Sequence, residues 1–271
     1  MLGHDVIRVA EQAGHDVTGL AHEDLDITDA AAVEEAVLSE QPEAIVNCAA
    51  WTDVDGAESN LEGATAVNGA GAANVAAAAD RIGCKVVFPS TDYVFDGTKE
   101  EPYLESDEVN PLSAYGKSKL AGEVATAAHN PRHFIVRASW LFGVNGKNFV
   151  ATMLDLGRTL DEVVVVKDQI GCPTYTGHLA EGLVRLVEWG EYGVYHMAGA
   201  GECSWYEFAI EIFRQARIEC RVLSTTTDML GRPAPRPSFS VLATEREATI
   251  HLPDWHEGLA AFLAERTEAH A

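Results

Sequence analysis

Two stretches of this 271-residue chain hold side chains suited to delivering a proton. Residues 90–97, STDYVFDG, leave an apolar run and present a hydroxyl, a carboxylate and a phenol at Thr91, Asp92 and Tyr93. Residues 115–119, YGKSK, put Tyr115 and Lys119 at i and i+4, which on a helix share one face. A free phenol titrates near about pH 10, too high for efficient proton exchange at neutral pH. A neighbouring ammonium stabilises the phenolate and lowers that value. The spacing therefore predicts that Tyr115 hands a proton to a carbonyl oxygen while hydride arrives at the carbon, with Lys119 also able to hold a nicotinamide ribose. Thr91, at a strand end beside that helix, could donate a second hydrogen bond to the developing alkoxide. An exposed tyrosine followed by a solvated lysine has the same spacing, and Lys117, off that face, reads as a residue of that kind. Context separates the two readings: a strand ending in Ser-Thr, a loop, then a helix carrying the pair.

Such a pair needs a scaffold, and the first 150 residues supply alternating strand-like and helix-like stretches with short punctuation. HDVTGLA (15–21), EAIVNCAA (43–50), CKVVFPS (84–90) and RHFIVRAS (132–139) read as strands. DITDAAAVEEAVLSEQP (26–42) reads as a helix beginning at an aspartate-threonine cap, and SAYGKSKLAGEVATAA (113–128) as another. GATAVNGAGAANVAAAADRIG (63–83) reads as one long helix whose Ala and Gly content implies a very close neighbour. Strands that are nearly continuous apolar runs, alternating with helices, indicate an α/β fold: a Rossmann-like, doubly wound parallel sheet covered on both faces. Beyond residue 150 the pattern loosens. Helices are expected near 147–158, 177–189 and 204–216, with strands near 163–166, 192–197 and 219–223. A proline-rich segment (231–240) and a closing helix, WHEGLAAFLAERTEA, follow. The division expected is a dinucleotide-binding domain over 1–146 and, over 147–271, mainly a smaller interleaved substrate lobe, with some segments returning to the sheet. That lobe would cover the carboxyl ends of the strands, where open α/β sheets bind ligands.

Composition narrows the function. Apolar residues at 47% suit a globular protein, and no run of about 18 apolar residues exists to span a membrane. Five scattered cysteines without a C-x-x-C pair argue against a disulfide framework or zinc site and for a reducing cytoplasm. With 42 acids against 19 bases, the net charge of −23 would repel nucleic acid and anionic membranes. The excess reads as that of a protein adapted to a high-salt cytosol, where salt screens the repulsion, ahead of the alternative of an acidic interaction surface. Only six of the bases are lysines, and two of them lie in YGKSK.

A dinucleotide domain opens with a strand, then a G-x-x-G-x-x-G turn, then a helix. Here MLGHDVIRVAEQAGHDV supplies only the end of that motif, with Gly3 as its last glycine and residues 4–13 as the helix whose amino end would hold a pyrophosphate. Loss of a central strand of about five core side chains would remove roughly 7–15 kcal/mol. The expectation is therefore that Met1 is an internal methionine and that the natural chain begins upstream with an apolar strand.

Taken together, Gly3, NCAA (47–50), STDYVFDG, NPLSAYGKSKLAGE and RASWLFG resemble the extended short-chain dehydrogenase/reductase family. More narrowly, LDITD (25–29), AAWTDVDGAE (49–58), AVN (66–68), DQIGCPT (168–174) and GECSWYEFA (201–209) are similar to its dTDP-4-dehydrorhamnose reductase branch, and the similarity runs the whole chain. The resemblance implies NADPH- or NADH-dependent reduction of the 4-keto group of a dTDP-4-keto-6-deoxy-L-sugar to dTDP-L-rhamnose. Thr91, Tyr115 and Lys119 become the catalytic set, and Asp92, Tyr93 and Trp140 become sugar contacts. Asp26 and Ile27 would meet the adenine, Ala49 and Ala50 a ribose, and Thr52 and Asn68 are further cofactor contacts or caps. Strand two ends in Ala21 and His22 with no ribose-binding acid, which favours or tolerates NADPH. Arg236 could clamp the nucleotide diphosphate bidentately. Trp205 and Phe208, at helical spacing, read as core of the small lobe. No metal is expected, and a homodimer is compatible with the reading.

Two alternatives carry the same motifs. Sugar-nucleotide dehydratases add an Asp-Glu pair after the threonine, whereas Tyr93 follows Asp92 here; epimerases fit the serine-containing strand end less well. A non-catalytic binding or regulatory subunit of the same fold would tolerate a weak pyrophosphate loop, but has no need of Thr91, Tyr115 and Lys119 together.

Overall fold

The structure is a computed structural model that describes residues 1–268. The chain runs through α1 (Leu2–Gln12), α2 (Ala30–Glu40), β1 (Ala44–Val46), α3 (Val54–Ser59), α4 (Leu61–Thr65), a π-helical turn at Ala66–Gly71, α5 (Ala72–Arg81) and β2 (Lys85–Thr91). After a 3-10 turn at Asp92–Val94 come α6 (Ala114–His129), β3 (His133–Ala138), β4 (Leu141–Phe142), α7 (Phe149–Gly157), β5 (Glu162–Val166), β6 (Ile170–Gly171) and β7 (Thr174–Tyr175). The remainder is α8 (Thr176–Trp189), β8 (Gly193–His196), β9 (Cys203–Ser204), α9 (Trp205–Ala216), β10 (Arg221–Thr225), α10 (Thr227–Leu230) and α11 (Trp255–Glu268). Ala269, the last residue of the expected closing helix, lies outside the described residues.

The central sheet is parallel, in the order β1-β2-β3-β8. Thr91 pairs with Ala138 and Arg137 with His196, so β2, β3 and β8 finish close together at one edge of the sheet. Side chains alternate across a strand. On β3, Phe134, Val136 and Ala138 join a core with α1 and α8, while Arg137 points the other way, to Glu123 on α6. A second core, from Phe142, Phe208, Phe213 and Phe262 among others, lies among α7, α9, α11 and the parallel β5–β10 pair. The chain therefore forms an α/β fold with a parallel sheet covered on both faces, and β8 is a segment from the later half that returns to it.

Three local expectations are corrected. Residues 15–21 do not form a strand: a strand needs a hydrogen-bonded neighbour, and among the described residues none runs beside this exposed segment. The second helix begins at Ala30, four residues after the expected start, because Asp29 caps it by accepting from Ala31 N and Ala32 N, while the Asp26 carboxylate turns back to Thr28. The Ala/Gly stretch is not one regular helix; a π-helical turn at Ala66–Gly71 separates α4 from α5. The close neighbour it implied is α6. A Cβ on Gly122 would sit 2.2 Å from Asn68 O and 2.4 Å from Phe88 Cζ, so only glycine lets the two helices approach. Among the described residues no helix is long and apolar enough to cross a membrane, and no group of three or more His, Cys, Asp or Glu could hold a metal ion.

Candidate active site

The site is built where β2 runs out. Pro89 interrupts β2, and its position explains why that is tolerated. In a parallel ladder, the carbonyls of residues two apart face the same side; Val87 O accepts from Asn47 N just beyond β1, where that ladder ends. Pro89 therefore needs no ladder donor, and its carbonyl accepts instead from Lys119 Nζ at 2.7 Å. Lys119 is 3% exposed, with its ammonium 4.0 Å from the Phe88 ring centroid. Burial pulls it down to about 8, while the charge of Glu123, one turn further along the same helix face, raises it.

Helix α6 presents this face because its first turn is pinned. Ser113 caps it by accepting from Gly116 N at 3.0 Å, and Glu58 accepts from Ala114 N at 2.7 Å. Gly116 lets that turn press on the 92–94 turn: a Cβ there would stand 2.3 Å from Tyr93 O. Tyr115 is thereby held edge-on to Tyr93, with ring centroids 5.9 Å apart, and its phenol lies beside the Thr91 hydroxyl. The lowered phenol value expected from Lys119 does not appear. Burial pushes Tyr115 up to about 12, the Thr91 hydrogen bond opposes this, and the Asp92 charge adds to the rise. The physical reason is that the ammonium is turned toward Pro89 O and so gives the phenol no compensating charge.

Asp92 is 2% exposed and its oxygens are occupied. Oδ1 accepts from Thr91 Oγ1 at 3.1 Å, and Oδ2 from Ser240 Oγ at 2.6 Å and Ser139 Oγ at 3.2 Å. Burial lifts it to about 6 against the pull of those hydroxyls. The neighbouring Tyr93 phenol is raised by burial and by the Asp92 charge, and lies beside Arg236. Arg236 reaches across from the proline-rich segment to α3, with Nη1 and Nη2 each 3.1 Å from an oxygen of Asp55. Arg232 stands 3.6 Å from the same carboxylate. Trp140 follows Ser139 with φ at 49°, a left-handed conformation unusual for so bulky a residue, and stacks on Trp205 at 3.6 Å between ring centroids. Trp205 is half-buried against the second core, and Phe208 lies wholly inside it.

The structure thus gathers Thr91, Asp92, Tyr93, Tyr115, Lys119 and Arg236 around the end of β2, with Trp140 joined through Ser139. The expected cofactor residues are more dispersed. Ala49, Ala50 and Thr52 line the segment leaving β1, with Ala49 and Thr52 exposed. Gly3 sits in the first turn of α1, and a Cβ there would meet Cys48 Cβ at 3.5 Å. Asn68 is a structural tie: it accepts from Trp51 N and donates to Trp51 O and Ser118 Oγ. Ile27 packs its side chain into the core beside Gly71, leaving Asp26 exposed beside it. The donor set still suits a dinucleotide. Lys119 makes one hydrogen bond among the described residues and keeps two N–H groups, and the rim beside β1 carries small side chains.

Several working residues were not anticipated: Pro89, Ser139, Ser240, Asp55, Glu58, and the buried Glu123–Arg137 pair. One of them had a visible signal. Glu123 continues the four-residue spacing of Tyr115 and Lys119, which placed a third ionisable group on the face that carries the pair.

The family model described as RmlD substrate binding domain matches residues 1–268. The chain is 42% identical over 270 residues to the spore coat polysaccharide biosynthesis protein SpsK of Bacillus subtilis (strain 168), covering 99% of this chain and 95% of that one. It is 43% identical to a dTDP-4-dehydrorhamnose reductase of Streptomyces griseus, over 91% of this chain and 83% of the other. Among solved structures, the dTDP-4-dehydrorhamnose reductase of Bacillus anthracis str. Ames in complex with NADP superposes with a TM-score of 0.95 at 39% identity, covering 97% and 95% of the two chains.

Proposed function

The chain belongs to the RmlD substrate binding domain family, and from that premise we propose that it reduces the 4-keto group of a dTDP-4-keto-6-deoxy-L-sugar to give dTDP-L-rhamnose, with NADPH as reductant. The observation that carries this reading is the meeting of Thr91, Tyr115 and a buried Lys119 at the carboxyl end of β2. When bound, the cofactor supplies hydride to the carbonyl carbon. Tyr115 delivers a proton to the carbonyl oxygen, and Thr91 hydrogen-bonds that oxygen as charge develops. Lys119, anchored on Pro89 O, offers its remaining N–H groups to the nicotinamide ribose. A phenol held near about 12 keeps its proton until a stronger base, the nascent alkoxide, is beside it.

The α1 amino end with Gly3 takes the pyrophosphate, Asp26 and Ile27 the adenine, and Ala49, Ala50, Thr52 and Asn68 the rim of the ribose site. Trp140 and Tyr93 form the sugar side, with Asp92 behind them bonded to Thr91. Arg236 takes the diphosphate, exchanging one charged partner, Asp55, for another. The Bacillus anthracis relative in complex with NADP supports NADPH as the reductant.

The test is cofactor oxidation with dTDP-4-keto-6-deoxy-L-sugar at high salt, with the product's stereochemistry assigned by NMR. Tyr115→Phe is expected to lower turnover by about 10²–10⁴ while leaving NADPH and dTDP binding nearly intact. Turnover preserved in that variant removes Tyr115 as the acid. Binding of both ligands by the wild-type chain without any oxidation supports a binding subunit instead.

A further inference from the structure

Asp92 is a buried carboxylate to which no Lys or Arg bonds among the described residues. Its side-chain partners are three hydroxyls from three separate segments: Thr91 at the end of β2, Ser139 after β3, and Ser240 in the proline-rich segment; its own backbone N–H also bonds it. Thr91 Oγ1 also accepts from Tyr93 N at 3.2 Å and lies beside the Tyr115 phenol. A hydroxyl has one proton and two lone pairs, so these contacts can be counted. With Asp92 ionised, the Thr91 proton goes to Oδ1. Thr91 then faces the cleft only as an acceptor, and cannot donate to an oxygen that is gaining charge.

Protonation on Oδ1 reverses one bond and leaves the rest alone. The carboxyl then donates to Thr91 Oγ1, and Tyr93 N occupies its second lone pair. The Thr91 proton is released toward Tyr115 and whatever lies beside it. Ser139 and Ser240 remain donors to Oδ2 in both states, so the two outer segments stay fixed. We propose that Asp92 is a positioning residue whose proton decides whether Thr91 aims its hydroxyl at the carboxylate or at the reacting oxygen. The proposal rests on the reductase reading above and assigns it a second controlling group.

The surroundings place this change within reach of neutral pH. Burial brings Asp92 up to about 6. The titratable groups facing it are Tyr93 on the same turn, Tyr115 on α6 and Cys172 between β6 and β7; Arg236 acts on Tyr93. Loss of a proton from any of those three would oppose ionisation of Asp92, and all three are raised, so none of them competes in this range.

Asp92→Asn freezes the active arrangement: its Nδ2 donates to Thr91, and its Oδ1 accepts from both serines. With NADPH and dTDP-4-keto-6-deoxy-L-sugar, wild-type kcat is expected to fall about tenfold per pH unit above the Asp92 value. The Asp92→Asn variant is expected to lose the falling limb, its own kcat varying by less than about threefold with pH across that range. An Asp92→Asn variant that keeps the falling limb, or is dead at every pH while still folded, overturns the proposal and leaves the reductase reading standing. Wild-type protein without turnover at any pH overturns the reductase reading. The switch is then still decided by carboxyl-carbon NMR of the wild-type chain, which needs no turnover. Titration of Asp92 near 6, coupled to the Thr91 side-chain resonances, supports it. Titration below about 5, or no coupling to Thr91, overturns it.

Discussion

Replacing Glu123 by Gln probes the charges that hold Lys119 in working form. Glu123 Oε1 accepts from Ser90 Oγ at 2.5 Å and from Arg137 Nε at 3.0 Å, and Oε2 accepts from Arg137 Nη2 at 2.8 Å. Both side chains are about 5% exposed, so solvent cannot replace either charge. The other contacts of Arg137 are weak: the Glu105 carbonyl and His196 Nε2 each stand 3.5 Å from Nη1. Glutamine keeps the shape and removes the counter-charge. Breaking one side of a buried pair costs about 3–5 kcal/mol, out of a total stability of about 5–15 kcal/mol. The same carboxylate supports the charge on Lys119, which burial has already drawn down to about 8. Its removal should draw Lys119 lower still and, in an Asp92→Asn background that lacks the Asp92 limb, move the remaining alkaline limb of turnover toward neutral pH. Urea unfolding reads the first effect and the pH profile of kcat the second. The double replacement Glu123→Leu with Arg137→Met removes both charges and should restore most of the stability without restoring the alkaline limb. A Glu123→Gln protein within about 1 kcal/mol of wild type, with its alkaline limb unmoved, refutes the reasoning.

Lys119→Met should abolish reduction yet stabilise the fold by about 1–3 kcal/mol, because an ammonium lowered from 10.5 to about 8 is charged at a cost of about 3 kcal/mol at neutral pH. The sign can be checked by pH: the unfolded chain holds that proton longer, so wild-type stability should rise between about pH 8 and 10.5, and Lys119→Met should lose this rise. Gly122→Ala brings a Cβ to 2.2 Å from Asn68 O, where α6 has no room to retreat. Thermal unfolding should show a loss of about 1–3 kcal/mol, with turnover falling further than stability accounts for because the displaced helix carries Tyr115 and Lys119.

Much of the scaffold was legible because local rules write it. The apolar strands β2 and β3, the helix α6 with its Ser113 cap, and the shared face of Tyr115 and Lys119 follow from periodicity and spacing within a few residues. The segment 15–21 reads as a strand, yet pairing belongs to the neighbour as much as to the segment. The phenol is the more instructive case. Proximity along a helix predicted that Lys119 would acidify Tyr115, but i to i+4 fixes only where the two backbones stand. Where the ammonium points depends on Pro89, 30 residues away, whose carbonyl is available only because β1 ends where it does. The same holds for the groups that were missed. Ser240 lies 148 residues from Asp92, and Arg236 lies 181 from Asp55. Spacing reveals groups that can do chemistry, whereas the charge and proton direction that make them do it are set by partners the fold brings in from elsewhere. Asp92 shows the consequence most directly: as a residue type it is a carboxylate beside a threonine, and only the two distant serines fix which of its oxygens is left to face Thr91.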